Sequence, residues 1–107
     1  MVTFGTYAEV RWNLIEYSNA DDIIAAINSN KFQAGKGWTN TYDGLRRMRT
    51  ELFSPDNGAR PEVPHIAIVI TDGHATREVH RTLPEAQRSW EAGIQVSRSF
   101  RESRLLL

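Results

Sequence analysis

The chain has 107 residues, enough for one small domain. Thirteen Lys and Arg balance thirteen Asp and Glu, so the formal net charge is zero and there is no general electrostatic pull toward nucleic acid or an anionic membrane. No apolar run approaches the ~18 residues of a membrane span, and with no cysteine the fold must rest on its apolar core rather than on disulfides.

The N-terminal Met1-Val2-Thr3-Phe4-Gly5 has neither a basic n-region nor an apolar h-region, so it does not read as a signal peptide. It reads as the start of a hairpin. Val2 and Phe4 share one strand face, and Gly5-Thr6-Tyr7-Ala8 makes the turn. Val10, Trp12 and Leu14 then alternate with Glu9, Arg11 and Asn13, the period of a half-buried strand. A helix is predicted from about 20 to 29. Ser18 or Asn19 caps it, Asp21 and Asp22 suit the positive end of its dipole, and Ile23, Ile24 and Ile27 form an apolar stripe.

Gln33 to Thr41, with Gly35 and Gly37, reads as a loop. Thr39 or Thr41 is predicted to cap the next helix, which carries Leu45, Met48 and Leu52 on one face and ends near Phe53-Ser54, before Pro55. A second loop runs from Pro55 to Pro64 and contains Asn57-Gly58. Ile66-Ala67-Ile68-Val69-Ile70 is apolar at every position. That pattern predicts a central parallel strand covered on both faces. Thr71-Asp72-Gly73 closes it. Leu83, Ala86 and Trp90 mark a last helix stopped by Gly93, and Ile94-Gln95-Val96 begins another strand. This order predicts an α/β fold: an open, mostly parallel, doubly wound sheet with helices on both faces.

In such sheets ligands bind at the carboxyl ends of the strands. Asp72 sits there. Its carboxylate either caps the turn or binds a hard cation such as Mg²⁺ or Ca²⁺, which take oxygen ligands. The loop with Thr39-Asn40-Thr41 opens a helix and should reach the same edge, where threonine hydroxyls are neutral oxygen donors. His65, His74 and His80 match no zinc spacing. No Gly-x-Ser-x-Gly elbow and no paired acids argue for an enzyme.

These segments carry a resemblance. Gly37-Trp38-Thr39-Asn40-Thr41 with Gly44-Leu45, Ile68-Val69-Ile70-Thr71-Asp72-Gly73, Phe4-Gly5 with Glu9-Val10, and Phe53 with Asn57-Gly58-Ala59-Arg60 together resemble the von Willebrand factor type A (VWA) domain over residues 1–96. The resemblance implies a Rossmann-like fold truncated at both ends, lacking the first, central strand and the last elements. That strand normally lies between the segments here numbered 2–5 and 66–71. It ends in Asp-x-Ser-x-Ser, which supplies most of the family's metal ligands.

Of the metal site, Thr39 and Asp72 are the positions that match, with Trp38, Asn40, Thr41 and Gly73 on the ligand-binding rim. Trp38 stands where a glycine is common in the family. Complete members hold Mg²⁺ (or Ca²⁺ or Mn²⁺), and a ligand carboxylate often completes its coordination. One carboxylate and one hydroxyl imply a degenerate, weak site here. The implied function is a non-enzymatic adhesion module of an extracellular matrix or cell-surface protein. Its partners would be matrix or cell-surface proteins, including collagen-type ligands, and the chain would be a piece of a larger protein. The alternative is an intracellular member that scaffolds a complex. Residues 97–107 depart from the pattern and read as a polar, basic tail, in which Arg98, Arg101 and Arg104 recur every three residues as on one helix face.

Overall fold

The computed structural model describes residues 1–29, 37–71 and 73–100. Strands β1 (Val2–Phe4) and β2 (Ala8–Val10) pair antiparallel, Val2 opposite Val10 and Phe4 opposite Ala8. The strand alternation predicted through Leu14 stops at Val10. The Arg11 N–H still donates to the Met1 carbonyl at 2.8 Å, but the Leu14 N–H turns to the Asn57 carbonyl at 3.0 Å and ties the hairpin to the loop before β3. Trp12 meets Tyr17 edge-on, with ring centroids 5.6 Å apart.

Helix α1 (Ala20–Ser29) has the predicted bounds. Of the two candidate caps, Asn19 is used: its side-chain carbonyl accepts from the Asp22 N–H at 2.9 Å. The isoleucine stripe does not form a core face. Ala26 is the residue the helix buries, while Ile23, Ile24 and Ile27 are exposed. Periodicity supplies an apolar stripe but not an element to cover it.

Helix α2 (Thr41–Arg47) is capped by Asn40, not by Thr39 or Thr41; the Asn40 carbonyl oxygen accepts from the Asp43 N–H at 3.1 Å. Met48–Leu52 continue it as a wider π-type turn, with the Phe53 N–H reaching back five residues to the Met48 carbonyl at 3.0 Å. Leu45, Met48 and Leu52 are buried, as their spacing predicts, and the helix ends before Pro55. A 3₁₀ turn (Pro55–Asn57) follows and stops at Gly58, whose φ of 91° suits glycine.

Strand β3 (His65–Thr71) pairs parallel with β4 (Ile94–Phe100), and α3 (Val79–Glu91) makes the crossover. Gly93 (φ 81°) turns the chain from α3 into β4. Leu45, Met48 and Ile94 form the buried cluster, and Val2, Phe53, Ala67, Val69 and Ala86 pack against it. The fold is the partial α/β architecture that the pattern predicts.

The strands form two separate two-stranded sheets, β1–β2 and β3–β4, the opened sheet that a missing central strand implies, and three details differ from the reading of the sequence. Among the described residues no strand lies between them. One face of β3 is not covered: Ala67 and Val69 turn inward, but Ile66, Ile68 and Ile70 are 59%, 68% and 73% exposed. In α3, Ala86 packs inward while Leu83 and Trp90 point to solvent. Finally, β4 runs on to Phe100, so Arg98 belongs to a strand and not to a basic helix face. Its parallel ladder with β3, Thr71 opposite Phe100, holds those residues extended. Arg101 and Arg104 lie outside the described residues.

Candidate functional site

Three loops meet at the end of the molecule where β3 finishes and α2 begins. They are the β1–β2 turn, residues 37–40, and residues 73–78. Backbone chemistry knits them together. The Thr39 N–H donates to the Thr76 hydroxyl at 2.7 Å, and the Thr39 carbonyl accepts from the Thr76 and Arg77 N–H groups at 2.9 and 3.3 Å. The Asn40 N–H donates to the Gly5 carbonyl at 2.8 Å, and its side-chain amide donates to the Thr6 carbonyl at 3.3 Å. Thr39 and Asn40 therefore bridge one loop on each side.

These bonds sort the rim residues. Asn40 is buried and engaged as a helix cap and a loop tie. Thr41 is half-buried in the first turn of α2. Thr39 is half-buried, with its backbone committed to the neighbouring loop. Trp38 projects from the edge at 57% exposure. Gly73 is half-buried beside the Thr71 hydroxyl, which its N–H reaches at 3.3 Å, and no atom crowds the place of a Cβ. Asp72 lies outside the described residues.

Sequence reasoning missed several members of this edge. Tyr7 is 70% exposed, and the Arg77 guanidinium lies 5.2 Å from its ring centroid. This pair sits on the two loops that are hydrogen-bonded to the loop carrying Trp38. Arg81, at the start of α3, sits 4.8 Å from the ring of Tyr42, at the start of α2. Tyr7 and Arg77 are far apart in sequence, and no local spacing marks them as partners. Two described carboxylates lie in this region: Glu78, 3.6 Å from Arg81, and Asp43. Asp43 is the more tightly held. It accepts from the Ala8 N–H at 2.8 Å and pairs with Arg46 at 2.8 Å. Burial alone would raise its pKa, but the Ala8 N–H and the Arg46 guanidinium outweigh it and hold the carboxyl below its ordinary value.

Oxygen ligands suit a hard cation. Among the described residues, however, no three His, Cys, Asp or Glu side chains gather to hold one. The side-chain oxygens of Asn40 and Asp43 are turned to structural partners. The described residues do not by themselves make a cation shell. The histidines are apart: His65 stacks on Phe53 with centroids 4.8 Å apart, whereas His74 and His80 are exposed.

A parallel β3–α3–β4 crossover beside a capped α2, with its loops gathered at the carboxyl end of β3, defines an α/β domain of Rossmann-like type. The sequence profile of the von Willebrand factor type A domain matches residues 1–97, and the chain belongs to that family. It is 30% identical to human integrin alpha-10 over 95 residues, which is 87% of this chain and 8% of the integrin. It is 35% identical to chicken matrilin-1 over 75 residues (70% and 15%), and 27% identical to bovine cochlin over 100 residues (94% and 16%).

Among solved structures it superposes on proximal thread matrix protein 1 of the mussel byssus with a TM-score of 0.84 and 26% identity, covering 91% of this chain and 25% of that one. A second structure of that protein, at 24% identity and TM-score 0.83, has its MIDAS motif occupied by zinc. The chain spans 8% of the integrin, 15% of matrilin-1 and 16% of cochlin.

Proposed function

We propose that this chain is most of a protein-binding adhesion module, without enzymatic activity, from an extracellular matrix or cell-surface protein. Its ligands are matrix or cell-surface proteins, collagen-type chains among them. The kinship with matrix and adhesion proteins supports this class. The single observation that carries the site is the knitted edge. Thr39 and Asn40 lock three loops together, and that rigid base presents Trp38 to solvent on one loop and the exposed Tyr7, with Arg77 over its ring, on the other two. Large aromatics held exposed on fixed loops have the chemistry of a protein-contact hot spot.

In this proposal Thr39 and Asp72 are what remains of the family's cation site, and Trp38, Asn40, Thr41 and Gly73 form its rim. A bound Mg²⁺ would supply a positive charge for a ligand carboxylate. With one carboxylate and one hydroxyl, that contribution is small. The module ends by resemblance near residue 96, with a polar tail beyond, although β4 itself continues to Phe100.

Surface plasmon resonance of the full chain over immobilised collagen tests this reading. The expected outcome is saturable binding that weakens at least about fivefold in Trp38→Ala and changes less than about twofold when EDTA is added. Saturable binding that is indifferent to both Trp38→Ala and Arg77→Ala would overturn the rim. Calorimetric titration with Mg²⁺ tests the metal side. Affinity weaker than about 1 mM is expected, and micromolar affinity lost in Asp72→Ala would contradict a degenerate site.

A further inference from the structure

Helix α3 is turned against its own amphipathic pattern. Its buried positions are Glu85 and Ser89, at 1% and 0% exposure, while Val79, Leu83 and Trp90 are 55%, 77% and 74% exposed. At 100° per residue the three apolar side chains fall within an arc of about 40°, along about 17 Å of helix. One ion pair to the α2 layer fixes this rotation, and two polar contacts within α3 support its buried Glu85. Glu85 takes the Arg49 guanidinium of the α2 layer at 2.6 Å and Arg88 at 3.4 Å, and the Ser89 hydroxyl donates to the Glu85 carbonyl at 2.9 Å. The helix therefore docks through the Arg49–Glu85 pair and Ala86, and leaves Val79, Leu83 and Trp90 in solvent.

We propose that this stripe is a self-association surface, on which α3 of a second copy packs antiparallel. This inference is independent of the adhesion reading. The register follows from the spacing. An antiparallel twofold centred between Ala86 and Gln87 sets Leu83 of each copy opposite Trp90 of the other, so one contact is made twice. Charge agrees with that register. His80 and Glu91 lie on the same flank of the stripe, about 80–100° from its centre. The twofold brings Glu91 of one copy beside His80 of its partner, an acid against a base. Both side chains are exposed; His80 lies 4.0 Å from Glu78 and Glu91 accepts from the Gln87 amide at 3.0 Å, surface contacts that the pair between copies replaces. Pro84 lies off the stripe, and its ring does not enter the contact. A single helix crossing buries less than the ~800 Å² per partner of a standard interface, so a weak dimer is expected.

Sedimentation velocity of the full chain from about 10 µM to about 1 mM tests this. A discrete monomer–dimer equilibrium is expected, weakened at least tenfold in Leu83→Glu. His80→Lys should tighten it and His80→Glu weaken it, each by about twofold to fivefold. Both sites are exposed, and unchanged circular dichroism separates loss of dimer from loss of fold. The chain has no cysteine, so introduced thiols report the register. A mixture of His80→Cys and Glu91→Cys chains should cross-link as the heterodimer in preference to either homodimer. A chain monomeric at 1 mM, association unaffected by Leu83→Glu, or preferential homodimer cross-links at position 80 would each overturn the proposal.

Discussion

Asp43 shows how much a single carboxylate holds in place. It joins α2 to β2 through the Ala8 N–H and to its own helix through Arg46. Hydrogen bonds to a charged group contribute ~1.5–3 kcal/mol, so Asp43→Ala should destabilise the chain by about 2 kcal/mol, read as a lower urea midpoint. The sign of the pH effect follows from its depressed pKa. A carboxyl whose folded pKa lies below its unfolded one contributes stability above the unfolded value near 4, and that stability is lost as the pH falls through the folded one. The gap between wild type and Asp43→Ala should thus close as the pH is lowered from about 6 toward about 2. A gap that stays constant would show that the loss came from packing. Neither role was legible in the sequence. Asp43 reads there as one charged residue in a helix, and its partner Ala8 lies 35 positions away.

At the scale of elements, the helices were legible where a local signal fixes them. Asn19 before Asp21-Asp22, Gly93 after α3 and Pro55 after α2 are short-range chemistry, and the helix bounds follow them. Gly58 shows the same logic in the loop. Its φ is 91°, and an added Cβ would stand 2.2 Å from the Ile15 Cγ2. Gly58→Ala should cost about 1–3 kcal/mol in urea unfolding; an unchanged midpoint would mean the loop re-forms around it. Rotation about a helix axis was not legible. Apolar spacing placed Leu83 and Trp90 on a core face, but the ion pair between Arg49 and the buried Glu85 sets the rotation, and it sends them outward. Glu85→Ala removes the partner of Arg49, which should lower stability by about 1–3 kcal/mol.

For the whole molecule the decisive fact is the division into two sheets. Each leaves strand edges unpaired among the described residues, and the outer face of β3 is bare isoleucine. Such surfaces favour association. The isolated chain should unfold in urea with less than ~5 kcal/mol of stability, at the low edge of native domains. A cooperative monomeric transition well above that value would show that the core is sufficient without further strands. Ile68→Thr on the bare face should lower binding of a hydrophobic dye and light scattering at high concentration, with a stability change of at most about 0.5 kcal/mol. A large loss of stability would instead show that Ile68 is packed.

The sequence by itself determined the order of elements, the helix stops at Pro55 and Gly93, and the family, because caps, turns and strand runs are written in neighbouring residues. It also marked Thr39 and Trp38 as belonging to one edge. Only the tertiary structure decided which apolar faces are covered, which way α3 is rotated, and that Tyr7 and Arg77 join Trp38 there. Burial, ion pairing and loop contact are set by residues that meet in space across tens of positions of chain, and no local period encodes them.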